Sequence, residues 1–256
     1  MDRLILILVC TITFNALNAS DMVKITGGDY RPLYNSKNSD KQKVADFYLD
    51  VNAVNNLQFY QFVNRYPQWQ KKNIAAIFSE DLYLSHWQQK DAVFQPNESE
   101  YYIPVTQVSW FAAQAYCQSI NKRLPLVSEW EYTARASEVQ VDGSKEKGYN
   151  QRILNWYSRP VSKPINNSAL TSANYWGVKA MHGVIWEWTE DFNSALVNGE
   201  SRNDSSIDSK LFCGAGAAGA ADPSDYAAFM RFGFRSSLQA KFTLKSLGFR
   251  CAKSKE

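Results

Sequence analysis

The residues with the most reactive side chains are the four cysteines, Cys10, Cys117, Cys213 and Cys251. Thiolates bind soft metals, act as nucleophiles, and pair into disulfides in oxidising compartments. Cys10 lies inside an apolar run near the start of the chain, so three cysteines remain if processing removes that run. Three thiols cannot all pair within one chain. The count therefore predicts one disulfide and one odd thiol, and it does not decide which thiol is odd.

Other reaction chemistries find little support in the sequence. The two histidines, His86 and His182, are too few for a three-histidine metal centre, and His182 is expected to orient a neighbouring loop. The chain contains no G-x-S-x-G elbow and no G-x-x-x-x-G-K phosphate loop. The glycine-rich run at 214–219 superficially resembles a dinucleotide fingerprint, but no strand–helix–strand pattern surrounds it. We therefore expect neither a serine hydrolase of the G-x-S-x-G type nor a phosphate-loop or dinucleotide-binding function.

An aromatic cluster lies near the C-terminal end. The rings between 226 and 234 are flanked by Arg231 and Arg235. Rings beside guanidinium groups could stack on a ligand, and packing beneath loops is the alternative use of the same residues. The cluster is a candidate binding surface.

Composition bounds the class of protein. The chain has 256 residues, of which 45% are hydrophobic and 14% aromatic, enough for one packed core. Its net charge of +3 comes from 28 basic and 25 acidic residues that are spread along the chain. This charge gives no electrostatic reason to expect binding to nucleic acid or to an anionic membrane.

Residues 1–20 have the pattern of a secretory signal peptide. Arg3 precedes an apolar run at 4–14, and small and polar residues follow up to Ala19, near the expected cleavage point. The run is too short to span a bilayer comfortably, and no later segment is long and apolar enough to do so. We therefore expect a periplasmic or secreted protein with one mature domain, residues 21–256, and no transmembrane segment after cleavage.

Local patterns predict short strands and capped helices. Alternation at 23–30 and at 47–51 predicts strands, and a helical pattern at 55–66 predicts a helix capped by Asn55 or Asn56. Ser109 should cap a second helix. The spacing of Ser128 and Glu131 predicts a capping box for a third. Segment 66–102 is expected to be irregular, and long loops are expected from Val141 onward.

Three segments together resemble the formylglycine-generating-enzyme, or sulfatase-modifying factor, family. They stand in that family's order and approximate spacing, and weaker matches extend the resemblance over nearly the whole mature chain. The segments are PVTQVSW through KRLP to EWEY within 104–132, WGVKAMHGVIWEWTED at 176–191, and LGFRC at 247–251. The resemblance implies a single α+β domain, mixed and loop-rich, related to C-type lectins.

Enzymes of this family oxidise a sulfatase cysteine to formylglycine with copper(I) held by two cysteines. Soft thiolates suit copper(I), which is why the pair is needed. Reading back from Arg235 without a gap, the resemblance places the two cysteine positions on Asp222 and Ala227. We therefore expect no catalytic residues and no copper at a two-cysteine site. Cys213 remains as a candidate reactive thiol, and a buried structural thiol is its alternative role.

The resemblance also implies a disulfide and a weak metal site. Cys117 and Cys251 match a pair that forms a disulfide in family members. A calcium site of some members would fall on the carbonyls of Gly183 and Ile185 and the carboxylate of Glu187. Its side-chain ligand is replaced here by Ala180, and calcium wants six to eight oxygens, so any binding should be weak.

The implied function is that of a non-catalytic factor. The groove that holds substrate peptide in the enzymes would bind a partner protein or peptide in the periplasm. Segment 221–231 resembles NirV-like bacterial proteins, which implies an accessory or maturation factor for a metalloenzyme such as copper nitrite reductase. The alternative is an oxidoreductase of the same family with a different metal or thiol arrangement around Cys213 and Met230. The candidate groove residues are Trp186, Tyr226, Arg231 and Arg235.

Overall fold

A computed structural model describes residues 21–33, 41–90, 93–158, 171–193 and 226–255. Its central sheet is antiparallel and brings distant parts of the chain together. The order is β1 (Met22–Ile25), β4 (Phe47–Asp50) and β9 (Ala252–Ser254). Val23 faces Leu49, and Leu49 faces Ala252. An antiparallel pair of β2 (Gly28–Tyr30) and β3 (Gln42–Val44) lies between β1 and β4 in sequence. The predicted strand region 23–30 is confirmed by β1 and β2, and the region 47–51 is confirmed by β4.

The first two helices begin where the sequence predicts. In α1 (Asn56–Arg65), the Asn55 side chain accepts from the N–H of Gln58, whose own side chain accepts from the N–H of Asn55. In α2 (Trp110–Ser119), Ser109 Oγ accepts from the N–H of Ala112. Each cap satisfies backbone donors that the helix itself leaves unpaired.

The third helix begins differently from the prediction. The capping box of Ser128 and Glu131 is wrong, because α3 runs over Val127–Ala134 and Ser128 lies inside it. The first donors are satisfied by Glu129, which accepts from Leu126 N–H at 2.8 Å, and by Asp191, which accepts from Val127 N–H at 2.7 Å. Glu131 is therefore available to point into the protein.

The expectation of long loops after Val141 is also wrong in part. The described residues of this region include two α-helices, α4 (Tyr149–Tyr157) and α5 (Tyr226–Ser236). Gly148 precedes α4 with a positive φ of 79°. Helix α5 is difficult to predict from hydrophobic periodicity because its buried face carries arginines as well as alanines. Elsewhere the described strands are short, with an antiparallel hairpin of β5 (Gln88–Lys90) and β6 (Val93–Gln95) and a parallel pair of β7 (Trp186–Glu187) and β8 (Leu247–Gly248).

The main core cluster combines aromatic and aliphatic side chains and includes Cys251. Phe59, Tyr116 and Phe249 contact one another with ring centroids 5.4 to 5.9 Å apart. Trp188 is fully buried and donates from Nε1 to the carbonyl of Val108 at 2.9 Å. Large rings can fill the space beneath irregular segments and still pair their polar atoms. A second cluster, which includes Ile25, Phe47, Leu49, Trp130 and Met181, covers the sheet.

The sheet and α2 are joined covalently. The structure pairs Cys117 of α2 with Cys251, the two cysteines that the resemblance implied, with Cα atoms 5.7 Å apart. Beside the bond, Asp50 accepts from Cys251 N–H at 3.0 Å and from Lys122 Nζ at 2.6 Å. Gly248 lies nearby at a position where a Cβ atom would stand 2.2 Å from the carbonyl oxygen of Val105. Only glycine allows that approach.

Within the described residues, none of the helices has the length and apolar character of a membrane span.

Candidate ligand-binding site

Helix α5 turns two arginines towards the interior. Ala227, Arg231 and Arg235 recur every four residues, which places them on one face of a helix, and all three are buried. Ala227 packs against Tyr149 and Ile153 of α4. The predicted cysteine position at Ala227 is thus occupied by a buried methyl group in a helix. The other predicted position, Asp222, and the candidate thiol Cys213 lie outside the described residues.

One carboxylate receives both arginines. Glu131 of α3 accepts from Arg231 Nε at 2.9 and 3.0 Å and from Arg231 Nη2 at 2.7 Å. Arg235 Nη1 donates to the same carboxylate. We call Glu131, Arg231 and Arg235 the Glu131 cluster. All three side chains are nearly inaccessible to solvent, at 6 to 9% exposure, so their mutual attraction is weakly screened.

Trp130 supports the cluster from one side. The Arg235 guanidinium carbon lies 4.7 Å from the centroid of the indole ring, and that of Arg231 lies 5.8 Å away. Such contacts are favourable because the ring face carries negative charge. The indole is itself fixed, since Trp130 Nε1 donates to Glu187 at 2.8 Å.

Burial and charge set the protonation states around the cluster. Burial alone would raise the pKa of Glu131, but Arg231 and Arg235 lower it to about 2. Burial, with Arg231 adding to it, lowers the pKa of His182 to about 3. Burial also raises the pKa of Tyr157 above its ordinary value. At neutral pH the group therefore holds one negative and two positive charges, with neutral His182 and Tyr157 beside them.

His182 connects the cluster to α3 and α4. Its Nε2 lies 2.9 Å from the carbonyl oxygen of Ala134, and its Nδ1 lies 3.0 Å from the Tyr157 hydroxyl. Because a carbonyl only accepts, we assign the proton to Nε2, so that Tyr157 donates to Nδ1. The Tyr157 oxygen then accepts from Arg231 Nη1 at 3.3 Å. This geometry fits the loop-orienting role predicted for His182.

Three stacked rings continue from the cluster. Trp186 lies between Tyr157, with centroids 5.0 Å apart, and Phe234, with centroids 4.3 Å apart. We call Tyr157, Trp186 and Phe234 the aromatic shelf, and each of these residues is partly exposed. The predicted groove residues Trp186, Arg231 and Arg235 thus meet in one place. The fourth, Tyr226, is 50% exposed and stacks on Phe229. It begins α5, about 14 Å along the helix axis from Arg235.

The predicted calcium ligands have a different environment. Glu187 accepts from Arg250 Nε at 2.7 Å and from Arg250 Nη2 at 2.8 Å, with both side chains fully buried. A calcium ion would have to compete with Arg250 for both carboxylate oxygens. Calcium at Gly183, Ile185 and Glu187 therefore stays a prediction. In the described part of the chain, no group of three or more His, Cys, Asp or Glu side chains is arranged to hold a metal ion.

Comparison with known proteins defines the family. The sulfatase-modifying factor enzyme 1-like domain matches residues 11–255. The chain belongs to this family. Formylglycine-generating enzyme of Streptomyces coelicolor is 29% identical over 199 residues, covering 62% of each chain. Inactive C-alpha-formylglycine-generating enzyme 2 of Mus musculus is 26% identical over 184 residues, covering 67% of this chain and 57% of that one.

A kinase and one solved structure extend the comparison. Serine/threonine-protein kinase pkn1 of Chlamydia caviae is 26% identical over 180 residues, covering 68% of this chain but 28% of the kinase. The chain therefore spans about a quarter of that relative's length. The crystal structure of CarF matches with a TM-score of 0.54 and 16% identity, covering 94% of this chain and all of CarF. That match supports the same mixed α+β, single-domain fold.

Sequence reasoning missed the residues that organise the site. Glu131 was assigned to a helix cap, and Tyr157 fell in a region predicted to be loop. Both were misread because their partners lie far along the chain, with Glu131 and Arg231 separated by 100 residues. The four-residue spacing of Ala227, Arg231 and Arg235 was the available signal for an inward helix face.

Proposed function

We propose that this protein is an exported, non-catalytic member of the family that binds a peptide segment of another exported enzyme as an accessory or maturation factor. The first candidate partner is a copper enzyme such as copper nitrite reductase, which the resemblance of 221–231 to NirV-like proteins favours. The family relation is established, and the accessory role, the export and the partner are our proposal.

The observation that carries the proposal is the number of thiols left for chemistry. After removal of residues 1–20 the chain has three cysteines, and the disulfide joins Cys117 to Cys251. Cys213 is then the single remaining thiol. The family's copper(I) site needs two thiolates, and one thiol does not fit it. An inactive relative, matched over two thirds of this chain, shows that the family includes members named for lost activity.

The same site retains features suited to binding. The residues of the aromatic shelf are partly exposed, and rigid rings bind peptide side chains with a small loss of conformational entropy. The Glu131 cluster fixes the shelf from beneath through Tyr157, which contacts both Arg231 and Trp186. A peptide could therefore pack on a preformed surface.

The lack of catalysis is tested with the purified mature protein. It is incubated with copper(I), oxygen and a sulfatase-type cysteine peptide, and the peptide is followed by mass spectrometry. The Streptomyces coelicolor enzyme serves as the positive control. We expect no formylglycine from this protein. Formylglycine that disappears in Cys213→Ser would refute the proposal and establish the oxidoreductase alternative.

The accessory role is tested by binding to a named partner. Copper nitrite reductase from the same organism is immobilised in its unfolded, metal-free form and in its folded, copper-loaded form. We expect binding to the unfolded form, and we expect Trp186→Ala to weaken it while Trp69→Ala, a substitution outside the shelf, leaves it unchanged. Absence of binding to both forms would remove copper nitrite reductase as partner.

A further inference from the structure

Two buried arginines hold a carboxylate by the same edge of the guanidinium group. Arg231 uses Nε and Nη2 to contact Glu131. Arg250 uses Nε and Nη2 to contact Glu187. On this edge two N–H groups point in parallel, at the spacing of the two carboxylate oxygens, which makes the pairing strong and geometrically specific.

The third buried arginine is used differently. Arg235 donates to Glu131 from Nη1 and is 7% exposed. Among the described residues, neither Nε nor Nη2 of Arg235 has a hydrogen-bond acceptor. The edge that binds a carboxylate in Arg231 and Arg250 is therefore not used by any described group in Arg235.

The local charge favours an anion at that edge. Glu131 neutralises one of the two guanidinium groups, and the nearby His182 and Tyr157 are neutral at pH 7. Burial keeps Tyr30 protonated as well, because it raises the pKa of that phenol. Arg135, which also acts on Tyr30, has its own partner in Asp142. Among the described residues, Glu131 is the carboxylate that contacts these two guanidinium groups, and a buried positive charge is costly unless it is paired.

The unused N–H groups are not sealed in the core. The buried polar side-chain atoms without a partner in the described residues belong to Trp176, Thr189, Glu190 and Thr243, and none is on Arg235. Nε and Nη2 of Arg235 therefore reach accessible space. Their plane is fixed by the Trp130 ring, 4.7 Å from the guanidinium carbon.

We propose that the Nε–Nη2 edge of Arg235 binds a carboxylate of the peptide that docks on the aromatic shelf, an inference that rests on the proposed peptide-binding function. A carboxylate fits because it is planar, carries one negative charge and presents two oxygens to two parallel donors. A phosphate dianion would exceed the single positive charge of the cluster. The ligand is thus an acidic peptide, with the carboxylate supplied by a side chain or by its C-terminus.

The first test uses small probes on the whole mature protein. The Nε–H resonance of Arg235 is observed by nitrogen-15 NMR and assigned by its loss in Arg235→Lys. Acetate and acetamide are titrated at constant ionic strength. We expect acetate to shift the resonance saturably and acetamide to have no effect. Equal shifts from the two probes, or no shift from acetate, would overturn the proposal. The absence of a shift would include the case in which an acidic side chain of this protein already occupies the Nε–Nη2 edge.

The second test uses peptides to identify the source of the carboxylate. Three aromatic-containing hexapeptides are compared: one capped at both ends with an internal Glu, its Gln counterpart, and a Gln peptide with a free C-terminal carboxylate. We expect at least one carboxylate peptide to bind about 10-fold or more tightly than the capped Gln peptide, because a charge-assisted pair is lost in the latter. Equal affinities for all three would contradict the proposal.

Matched variants separate binding from folding. Arg235→Lys keeps the charge but loses the parallel donors, and we expect it to remove the preference for a carboxylate. Arg65→Lys changes an exposed arginine and should leave the preference intact. Circular dichroism verifies that both variants fold, and the acetate–acetamide comparison on the unmodified protein needs no variant.

These outcomes also distinguish the carboxylate site at Arg235 from the accessory role. If acetate shifts Arg235 but copper nitrite reductase is not bound, the carboxylate site stands and the proposed partner fails. If the partner binds without any carboxylate preference, the accessory role stands and the role of Arg235 fails.

Discussion

Replacing Glu131 by Gln would remove the carboxylate that both buried arginines of the Glu131 cluster contact. The ordinary pKa of a glutamate is 4.5, and in the folded protein that of Glu131 is about 2. The difference of about 2.5 pKa units, at 1.36 kcal/mol each, corresponds to about 3 kcal/mol of stability. Removing one partner of a buried ion pair typically costs about 3 to 5 kcal/mol, which agrees. We therefore expect Glu131→Gln to lower the free energy of unfolding by about 3 kcal/mol at pH 7.

The pH dependence of this loss follows from the sign of the pKa shift. Because the folded pKa is depressed, the stabilisation by Glu131 is fully present above pH 4.5 and is lost as the pH falls towards about 2. The two proteins should therefore differ most at neutral pH, keep somewhat under half of that difference at pH 3, and converge at or below about pH 2. Urea unfolding at pH 7, 4.5 and 3, monitored by tryptophan fluorescence, measures the difference directly. At pH 7 a melting temperature lowered by about 6 to 12 °C is the corresponding thermal result.

Glu138→Gln provides the matched control, since Glu138 is exposed and its removal should change stability by less than about 0.5 kcal/mol. A loss in Glu131→Gln of less than about 1 kcal/mol at pH 7 would refute the reasoning. A loss of full size that does not shrink with acidification would show that Glu131 acts through packing and not through its charge.

Three further predictions follow from single contacts. Cys117→Ser should lower the free energy of unfolding by about 4 to 5 kcal/mol, because the disulfide closes a separation of 134 residues. Urea unfolding with and without reductant measures this loss. Equal unfolding midpoints for the oxidised and reduced forms of the unmodified protein would contradict the prediction. His182 should remain neutral from pH 8 to pH 4 in the folded state, since burial and Arg231 lower its pKa to about 3; an NMR titration with a midpoint near 6.5 would disagree. Asn55→Ala should cost about 1 kcal/mol through loss of the α1 cap, measured by thermal unfolding, and no change would mean that Gln58 caps the helix alone.

Local signals in the sequence predicted the elements that depend on local chemistry. Asn55 and Ser109 each cap a helix by accepting a hydrogen bond from the backbone N–H three residues later. Such a cap depends only on residues that are close in sequence, so the sequence is sufficient to predict it. The strands that start at Met22 and Phe47 were likewise predicted from a local pattern, the alternation of side chains between the two faces of a strand. Recognition of the family added the Cys117–Cys251 pair, which spacing alone had left undecided.

Long-range charge pairing could not be predicted in the same way. Glu131 satisfies a local capping pattern, but its partners are on α5, and the energy of burying two arginines beside it outweighs a cap at the protein surface. Helix α5 was missed for the related reason that buried arginines break the usual apolar pattern, and Gly233 lowers the intrinsic helix propensity. The sequence predicted Trp186, Arg231 and Arg235 of the candidate groove. It did not predict Tyr157, the ring that links them in the structure.

The order of the central sheet has a consequence for synthesis. Strand β4 lies between β1 and β9, and the segment 247–254 also supplies Arg250 and Cys251 to the core. The ribosome must therefore translate about 200 residues after β4 before its second neighbour exists. Until then β4 has one open edge, and Glu187 lacks its ion pair with Arg250. Contacts of this sequence separation form slowly, because a long loop must close first. A chain in which residues 247–254 have not yet docked would expose an unpaired strand edge, the surface on which aggregation begins.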